Sequence, residues 1–170
     1  MPVERTASSA GGDILAAVRA VIVGCGRVGS TLAKELARDG HDVAVVDVSR
    51  GAFDRLGKDF PGQLVLGSGI DQEVLEQAGA DMADCFISVT NGDNRNIMSA
   101  QVAKEIFNIP RVMTRIYDPI RERVYRETGL YTYCPTVMGA AIARTFFDAG
   151  PEEADRARHS VAASGASGGA

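Results

Sequence analysis

The sequence predicts an α/β fold: a doubly wound, parallel, six-stranded sheet of Rossmann type with strand order 3-2-1-4-5-6, followed by a C-terminal crossover helix. Three observations predict this fold. Short apolar runs alternate with longer amphipathic segments along the chain. The apolar runs lack the polar/apolar alternation of half-exposed strands, so both faces of the sheet are expected to be covered. A glycine-rich loop follows the first run, as in doubly wound folds that bind nucleotides.

The six predicted strands are short β-branched, aliphatic or aromatic runs bounded by turn residues. The first runs directly into glycines, and the second follows a turn that contains Gly40. In chain order the predicted strands are residues 20–23, 43–46, 64–66, 85–89, 111–116 and 130–133.

The predicted helices lie between these strands and show helical spacing of apolar residues or a capping residue at their start. Ser49 and Asp71 are candidate N-caps for the second and third helices, and Pro119 follows Asp118 at the start of the fifth. The predicted helices cover residues 31–38, 49–56, 71–78, 94–107, 118–127 and 135–148.

Length and composition predict one globular domain with a tail at each end. The chain has 170 residues, of which 45% are hydrophobic and 24% charged, as in ordinary soluble domains. We expect a flexible segment over residues 1–18, the Rossmann-type domain over 19–149 and a disordered tail over 150–170. The tail is rich in Gly, Ser and Ala, and Gly150 and Pro151 form a strong helix break.

Charge, cysteine content and hydropathy exclude several classes of protein. The net charge is -4 and no basic run occurs, which argues against nucleic-acid binding. The three cysteines lack CxxC spacing, which is typical of reduced thiols in the cytosol. No stretch approaches the roughly 18 apolar residues of a membrane span, so direct membrane insertion is not expected.

The glycine-rich loop predicts an adenine-nucleotide site. Gly24 ends the first strand, Gly26 leaves room for a pyrophosphate beside the backbone, and Gly29 lets the next helix pack closely on the sheet. Asp47 ends the second strand, where its carboxylate can accept hydrogen bonds from both ribose hydroxyls. The same carboxylate would repel a 2′-phosphate, which disfavours NADP. A purely structural strand–helix turn is the alternative.

Further candidate binding residues follow the other strand ends, where ligands of open α/β sheets collect. Arg27 is expected to pair with a β- or γ-phosphate, and Arg115 needs a phosphate or an acid nearby if its guanidinium is buried. A solvated or purely local structural role is the alternative for these residues. The remaining candidates for contact with the nucleotide are Val28, Val48, Gly67, Ser68, Thr90 and Asn91.

No catalytic residue is predicted. His41 lies in a turn away from the expected crevice and His159 lies in the predicted tail, so neither is placed for acid/base work. Cys25 is expected to have a pKa lowered by the helix N-terminus, but no histidine is placed to activate it. The alternatives are a small NAD-dependent oxidoreductase or its cofactor domain, and a redox-sensing DNA-binding regulator, which the absence of a basic patch disfavours.

The chain resembles the RCK (KTN) regulatory family of Trk/Ktr-type bacterial potassium-uptake systems over about residues 19–148. The resemblance rests on the glycine loop, the acid that ends the second strand, and several later runs. The matching runs are VIVGCGRVG (21–29), VVD (45–47), GSGID (67–71), LEQAGA (75–80), AD (83–84), Asn94 with Asn96, RIYDP (115–119), ETG (127–129) and CPT (134–136).

This resemblance implies a homodimer that assembles into a ring beneath a potassium-translocating membrane subunit, at the cytosolic face of the membrane. It implies that the shape changes when NAD(H) or ATP/ADP is exchanged. The loop glycines would hold phosphates, Asp47 the ribose and Ser68 the adenine edge. Arg27 would reach a terminal phosphate, including that of a neighbouring subunit's ligand, and Glu127 matches an acidic position that binds a cation at the dimer interface in some relatives.

Two features depart from that family or leave alternatives open. The resemblance stops at about residue 148, before the ligand-binding subdomain that members of the family usually carry, and we expect either a truncation or a reduced paralogue that needs a partner subunit. The last predicted helix carries Val137, Ile142, Phe146 and Phe147. This is more apolar surface than one side of a terminal helix needs, so we expect it to cross onto another protomer, the alternative being that it packs on its own sheet.

Overall fold

The computed structural model describes residues 17–163 and contains a six-stranded sheet in the order β3-β2-β1-β4-β5-β6. All neighbouring strands are parallel, which confirms the predicted fold class and strand order. The strands are β1 (Arg19–Val23), β2 (Asp42–Asp47), β3 (Gln63–Leu66), β4 (Cys85–Ser88), β5 (Arg111–Arg115) and β6 (Tyr131–Tyr133).

Helices connect the strands, and most begin near the predicted residue. Asp71 and Asp118 are N-caps whose carboxylates accept backbone N–H groups of the first turn. The helices are α1 (Arg27–Arg38), α2 (Gln72–Gln77), α3 (Asp93–Glu105), α4 (Pro119–Glu127), α5 (Pro135–Ala149) and α6 (Pro151–Ala163).

The connection after β2 differs from the prediction. The helix predicted here is a 3₁₀-helix over Arg50–Arg55, and the Ser49 side chain, the candidate N-cap, makes no capping hydrogen bond. Instead, the backbone N–H of Ser49 donates to the Asp47 carboxylate, and this hydrogen bond holds the chain in a tight turn at the end of β2. A second 3₁₀-helix, Ala80–Met82, precedes β4.

Two apolar layers cover the sheet, one on each face. On one face Val21, Val23 and Phe86 pack with residues of α2 and α3. On the other face Ile22 and Val45 pack with residues of α1 and the first 3₁₀-helix. Successive strand residues are therefore buried on opposite faces, which explains why the strands read as continuous apolar runs.

The predicted disordered tail is wrong for residues 151–163, which form α6. Gly150, with φ 85°, ends α5, and Pro151 starts a new helix, a position where its missing N–H is no loss. Ala154 is only 7% exposed, since α6 packs back on α5 as a helical hairpin. The predicted flexible segment, residues 1–18, falls almost wholly outside the described residues, as do residues 164–170.

Helix α5 leaves the body of the domain. It has no buried residue, and its main contacts are with α6. Phe147 is 82% exposed and Phe146 57% exposed. The alternative that this helix packs on its own sheet is therefore wrong. Within residues 17–163 no helix has the length and apolarity needed to cross a membrane.

Candidate functional site

A cleft of about 780 Å³ opens at the carboxyl ends of the central strands. It lies where strand order reverses between β1 and β4, the position at which open α/β sheets bind ligands. Eleven of the predicted binding residues line it: Gly24, Gly26, Arg27, Val28, Asp47, Val48, Gly67, Ser68, Thr90, Asn91 and Arg115. The twelfth, Gly29, is buried at the end of the glycine loop, in the first turn of α1, and is not among the lining residues.

The three loop glycines meet different constraints. Gly24 has φ 105°, and a Cβ there would lie 2.9 Å from the Thr90 nitrogen. A Cβ on Gly29 would overlap the carbonyl oxygen of Gly24. Gly26 has φ -76°, and a Cβ there would meet no heavy atom within 4 Å. The fold itself thus requires glycine at 24 and 29, whereas the space beside Gly26 is open to the cleft.

The Asp47 carboxylate joins the end of β2 to the glycine loop. Its Oδ2 accepts the Cys25 N–H at 2.7 Å, and its Oδ1 accepts the Ser49 N–H at 2.8 Å. A carboxylate has about four acceptor positions, so each oxygen retains a lone pair. Asp47 can therefore fix the loop and still accept hydrogen bonds from two ligand hydroxyls.

Cys25 does not have the lowered pKa expected from its place at the start of α1. The thiol is fully buried, and burial, followed by the negative charge of Asp47, raises its pKa to about 11. Arg55 and Lys34 act in the opposite direction but are weaker. Cys25 is therefore a neutral packing residue at physiological pH.

The cleft concentrates positive charge in an acidic protein. Four arginines line it, whereas Asp47 is the one carboxylate among the lining residues, although the whole chain carries a net charge of -4. Arg27 and Arg115 were predicted from the sequence. Arg55 and Arg95 were not, because no local motif reveals how far a long side chain reaches from a neighbouring helix. This charge pattern suits an anionic ligand.

Arg115 is the most constrained of these cations. Its side chain is buried, with the residue 8% exposed, and its Nη2 donates to the carbonyl oxygens of Val89 and Thr90 at 2.7 and 2.6 Å. Its guanidinium lies 4.6 Å from the centre of the Tyr117 ring. Among residues 17–163 it forms no salt bridge, and its Nε has no hydrogen-bond partner. A buried cation in this state favours an incoming anion.

A buried polar network holds the far wall of the cleft. The Asn96 side chain accepts the N–H and hydroxyl of Thr90, and donates to the carbonyl oxygens of Thr90 and Arg115. Beneath it, the Ser88 hydroxyl lies 2.8 Å from that of Thr114. Each end of the Asn96 amide is thereby satisfied, which fixes the loop after β4 relative to the end of β5.

The remaining candidates lie outside the cleft. His41 accepts the Val18 N–H at the opposite edge of the sheet, and His159 is on α6. Glu127 is exposed on the last turn of α4, and the described part of the chain contains no cluster of three potential metal ligands. Its role as a cation ligand stays a prediction.

Glu122, which sequence reasoning passed over, is the buried carboxylate of α4. Burial by itself would raise its pKa, but hydrogen bonds from Thr132 and Arg126 outweigh that effect and lower it. The residue is 4% exposed and lies within hydrogen-bond distance of both partners. It ties α4 to β6 rather than lining the cleft.

Curated proteins similar to this chain are described as potassium uptake proteins. The chain is 50% identical over 112 residues to the Trk system potassium uptake protein TrkA of Streptomyces coelicolor, an alignment covering 66% of this chain and 50% of that protein. It is 35% identical over 109 residues to a TrkA homologue of Pyrococcus abyssi, covering 63% and 47%. The chain thus spans about half the length of the curated relatives it matches.

Solved structures of the GsuK channel share the fold. The structure of GsuK bound to ADP matches with a TM-score of 0.65 at 22% identity, covering 77% of this chain and 34% of that one. The GsuK channel bound to NAD matches with a TM-score of 0.61 at 19% identity, covering 75% and 23%. The family model of the TrkA-N domain matches residues 20–134, and the chain belongs to the TrkA-N domain family.

Proposed function

We propose that the cleft binds an adenine nucleotide, NAD(H) or ATP/ADP, and that the chain is a non-catalytic regulatory component of a Trk/Ktr-type potassium transporter. The observation that carries the proposal is the cleft itself. It combines an open glycine loop at a helix N-terminus, one acceptor carboxylate and four arginines at the switch point of the sheet.

The chemistry of the lining residues suggests how a nucleotide would lie. The phosphates would meet the free N–H groups of the first turn of α1 beside Gly26, with Arg27 as their counter-charge. The ribose hydroxyls would donate to Asp47. The adenine would lie against Val48, Gly67 and Ser68.

The other half of the ligand would lie over the loop after β4. Thr90, Asn91 and Arg115 line this part of the cleft. Both a nicotinamide ribose and a terminal phosphate have groups that these residues can bind. The choice between NAD(H) and ATP/ADP therefore depends on this half of the cleft, because the adenosine half is common to all four ligands.

The relatives support a role in potassium transport. The curated relatives are described as potassium uptake proteins, and structures of the GsuK protein contain ADP or NAD. We propose that this chain likewise acts beneath a potassium-translocating membrane subunit, at the cytosolic face, as a homodimer within a larger ring. The exposed Val137, Phe146 and Phe147 of α5 would pack on another protomer.

Regulation would follow from two geometries of such an assembly. A ligand shifts the equilibrium between two states only by its difference in affinity for them. ATP and ADP differ by a phosphate that Arg27 can contact directly, whereas NAD and NADH differ only at the nicotinamide.

Calorimetric titration of the full chain with ATP, ADP, NAD and NADH tests the proposal. We expect at least one of the four to bind, and Asp47→Ala to weaken it by about tenfold or more, since a hydrogen bond to a charged group contributes about 1.5–3 kcal/mol. Asp47→Asn is the matched control for the loop, because its side-chain oxygen can still accept the Cys25 N–H while the charge is lost.

Two outcomes would overturn the proposal. Absence of binding by all four ligands, or affinities that Asp47→Ala leaves unchanged, would remove the assigned site. Steady oxidation of NADH with a small carbonyl substrate would favour the competing proposal, a small NAD-dependent oxidoreductase or its cofactor domain.

A further inference from the structure

A second pocket, of about 470 Å³, opens at the amino ends of β4 and β5, away from the nucleotide cleft. Cys85 and Arg111, the first residues of these two strands, line it and are in register with each other. This amino-end pocket shares no lining residue with the cleft, so it is a separate site. The apolar part of its lining consists of Ile87, Ile109, Pro110, Val112 and Met113.

Two cations without a carboxylate partner lie at the amino-end pocket. Lys104 and Arg111 line it, no Asp or Glu of the described residues does, and neither cation forms a salt bridge within residues 17–163. Lys104 donates to the Gly129 carbonyl oxygen at 2.9 Å, and the Arg111 Nε donates to the Asp84 carbonyl oxygen at 3.4 Å. Both cations retain further N–H donors. An occupant with aliphatic side chains and a carboxylate would therefore complement this pocket.

The start of β1 lies close to the amino-end pocket. Ala20 in β1 pairs with Cys85 in β4, which pairs with Arg111 in β5. Arg111 is therefore two strand spacings, about 10 Å, from Ala20 across the sheet. Ala17, the first described residue, comes three residues before Ala20, which is about 10 Å along the strand direction. The separation of Ala17 and Arg111 is thus about 14 Å.

The residues that precede Ala17 in the sequence have the complementary chemistry. Asp13 is followed by the aliphatic pair Ile14 and Leu15, and these three residues lie outside the described part of the chain. Four residues of extended chain span up to about 14 Å, which equals the distance from Ala17 to Arg111. The Asp13 carboxylate is therefore within reach of Arg111, with the two aliphatic side chains next to it.

We propose that residues 13–15 pack into the amino-end pocket of their own chain. The Asp13 carboxylate pairs with Lys104 and Arg111, and the Ile14 and Leu15 side chains cover the apolar lining. A connection of a few residues holds the segment near the pocket at an effective concentration in the millimolar range, so weak complementarity is sufficient. The inference does not depend on nucleotide binding. The flexibility expected for residues 1–18 would then be confined to residues 1–12.

Cys85 can report whether the amino-end pocket is occupied. It lines the pocket and is partly exposed, whereas Cys25 and Cys134 are buried. Burial raises the pKa of the Cys85 thiol, and the charge of Arg111 acts in the opposite direction. A docked segment would shield the thiol and place a carboxylate near it. Both effects slow the reaction of Cys85 with iodoacetamide, because the thiolate is the reactive form.

Timed alkylation of the full 170-residue chain, followed at Cys85 by mass spectrometry, tests the proposal. We expect the double variant Ile14→Glu, Leu15→Glu to react about fivefold faster than the unaltered chain. A segment docked in about four molecules of five leaves only the open fraction to react. Thr6→Glu with Ala7→Glu adds the same charge outside the docking residues, is the matched control and should react like the unaltered chain.

A second pair of variants tests the role of the carboxylate. Asp13→Asn removes the charge at nearly constant shape and should speed modification of Cys85 about twofold, since a partly exposed ion pair contributes less than about 1 kcal/mol. Glu4→Gln makes the same change outside the docking residues and should have no effect.

Two results at Cys85 would overturn the proposal. Equally fast modification of the unaltered chain and of the Ile14→Glu, Leu15→Glu variant would show that the pocket is open. Equally slow modification of both would show that something else, such as a second copy of the chain, covers it. An acceleration by Thr6→Glu with Ala7→Glu as large as that of the docking variant would also contradict it, because charge alone would then be the cause.

Discussion

Gly26 and Gly29 lie three residues apart in the same loop and are glycine for different physical reasons. A side chain at 29 would collide with the backbone of Gly24, whereas a side chain at 26 would meet no protein atom within 4 Å. Glycine at position 29 is therefore required by the fold, whereas glycine at position 26 leaves open space for the proposed ligand.

Gly26→Ala should leave the melting temperature nearly unchanged and weaken nucleotide binding by about tenfold or more, because forced overpacking costs about 1–3 kcal/mol. Gly29→Ala should lower the free energy of unfolding by a similar amount in the absence of ligand. Denaturant unfolding and calorimetry measure the two effects. Equal loss of stability in both variants would contradict the distinction.

Cys25 should resist alkylation. Its thiol is fully buried and has a pKa of about 11, so little thiolate exists at neutral pH. Mass spectrometry after treatment with iodoacetamide should find Cys25 unmodified under native conditions and fully modified in denaturant. Rapid native modification would show that the loop opens.

At the residue scale, the site residues that belong to a local sequence pattern could be predicted. The glycine loop and Asp47 carry a spacing with a mechanical reason, so they were predictable. Arg55, Arg95 and Tyr117 were missed, since their contribution depends on the reach of side chains from separate elements. The pKa of Cys25 was predicted in the wrong direction because the effect of a helix N-terminus can be inferred from a sequence, whereas the depth of burial cannot.

Helix α4 depends on one buried carboxylate. Glu122 receives hydrogen bonds from Thr132 and Arg126, and Glu122→Gln should lower the free energy of unfolding by about 1–3 kcal/mol at neutral pH. Glu127→Gln, exposed on the same helix, is the control and should have little effect.

The pH dependence of the Glu122 effect has a definite sign. The pKa of this carboxyl is lowered in the folded state from an ordinary value of 4.5, so the folded state binds the proton less tightly than the unfolded state. Its contribution is complete above pH 4.5 and is lost as the pH falls through the folded-state value. Thermal melts should show the difference between the unaltered chain and Glu122→Gln shrinking below that pH. A difference that grows on acidification would contradict this.

The hairpin should be energetically separate from the sheet. Ala154 is its buried contact on α6, and Ala154→Glu places a charge against α5. We expect rapid amide exchange throughout α6 in this variant while the melting temperature of the sheet stays within about 2 °C, since surface changes are worth about 0.5 kcal/mol or less. Ser160→Glu, at an exposed position of the same helix, adds the same single negative charge and is the control.

At the element scale, predictability followed the strength of the local signal. All six strands and their order could be predicted because buried parallel strands are continuously apolar. Helix α6 was not predicted because Gly150 and Pro151 were interpreted only as a helix stop. Glycine after one helix and proline at the first position of the next also mark the start of a new helix. Ser49 is a candidate N-cap by sequence, but its side chain makes no capping hydrogen bond in the structure. Its backbone N–H instead donates to the Asp47 carboxylate.

Across the whole molecule, an acidic chain surrounds a positively charged cleft. Attraction of the ligand's phosphates to arginines should weaken as salt rises from about 0.05 to about 0.5 M, because the screening length shortens. Adenosine, which lacks phosphate, should bind far more weakly than ADP and show little salt dependence. Equal affinities for adenosine and ADP in calorimetry would contradict an electrostatic role for the arginines.

Because every strand of the sheet runs in the same direction, the turns divide into two sets. The turns at the carboxyl ends of the strands form the cleft. The turns at the amino ends, such as that at Asp39 and Gly40, lie on the opposite side of the sheet, and these two residues are exposed. Because of this separation, insertions are best made in the turns at the amino ends of the strands. A peptide tag or fluorescent reporter inserted between Asp39 and Gly40 can be carried without disturbing a ligand bound at the other end.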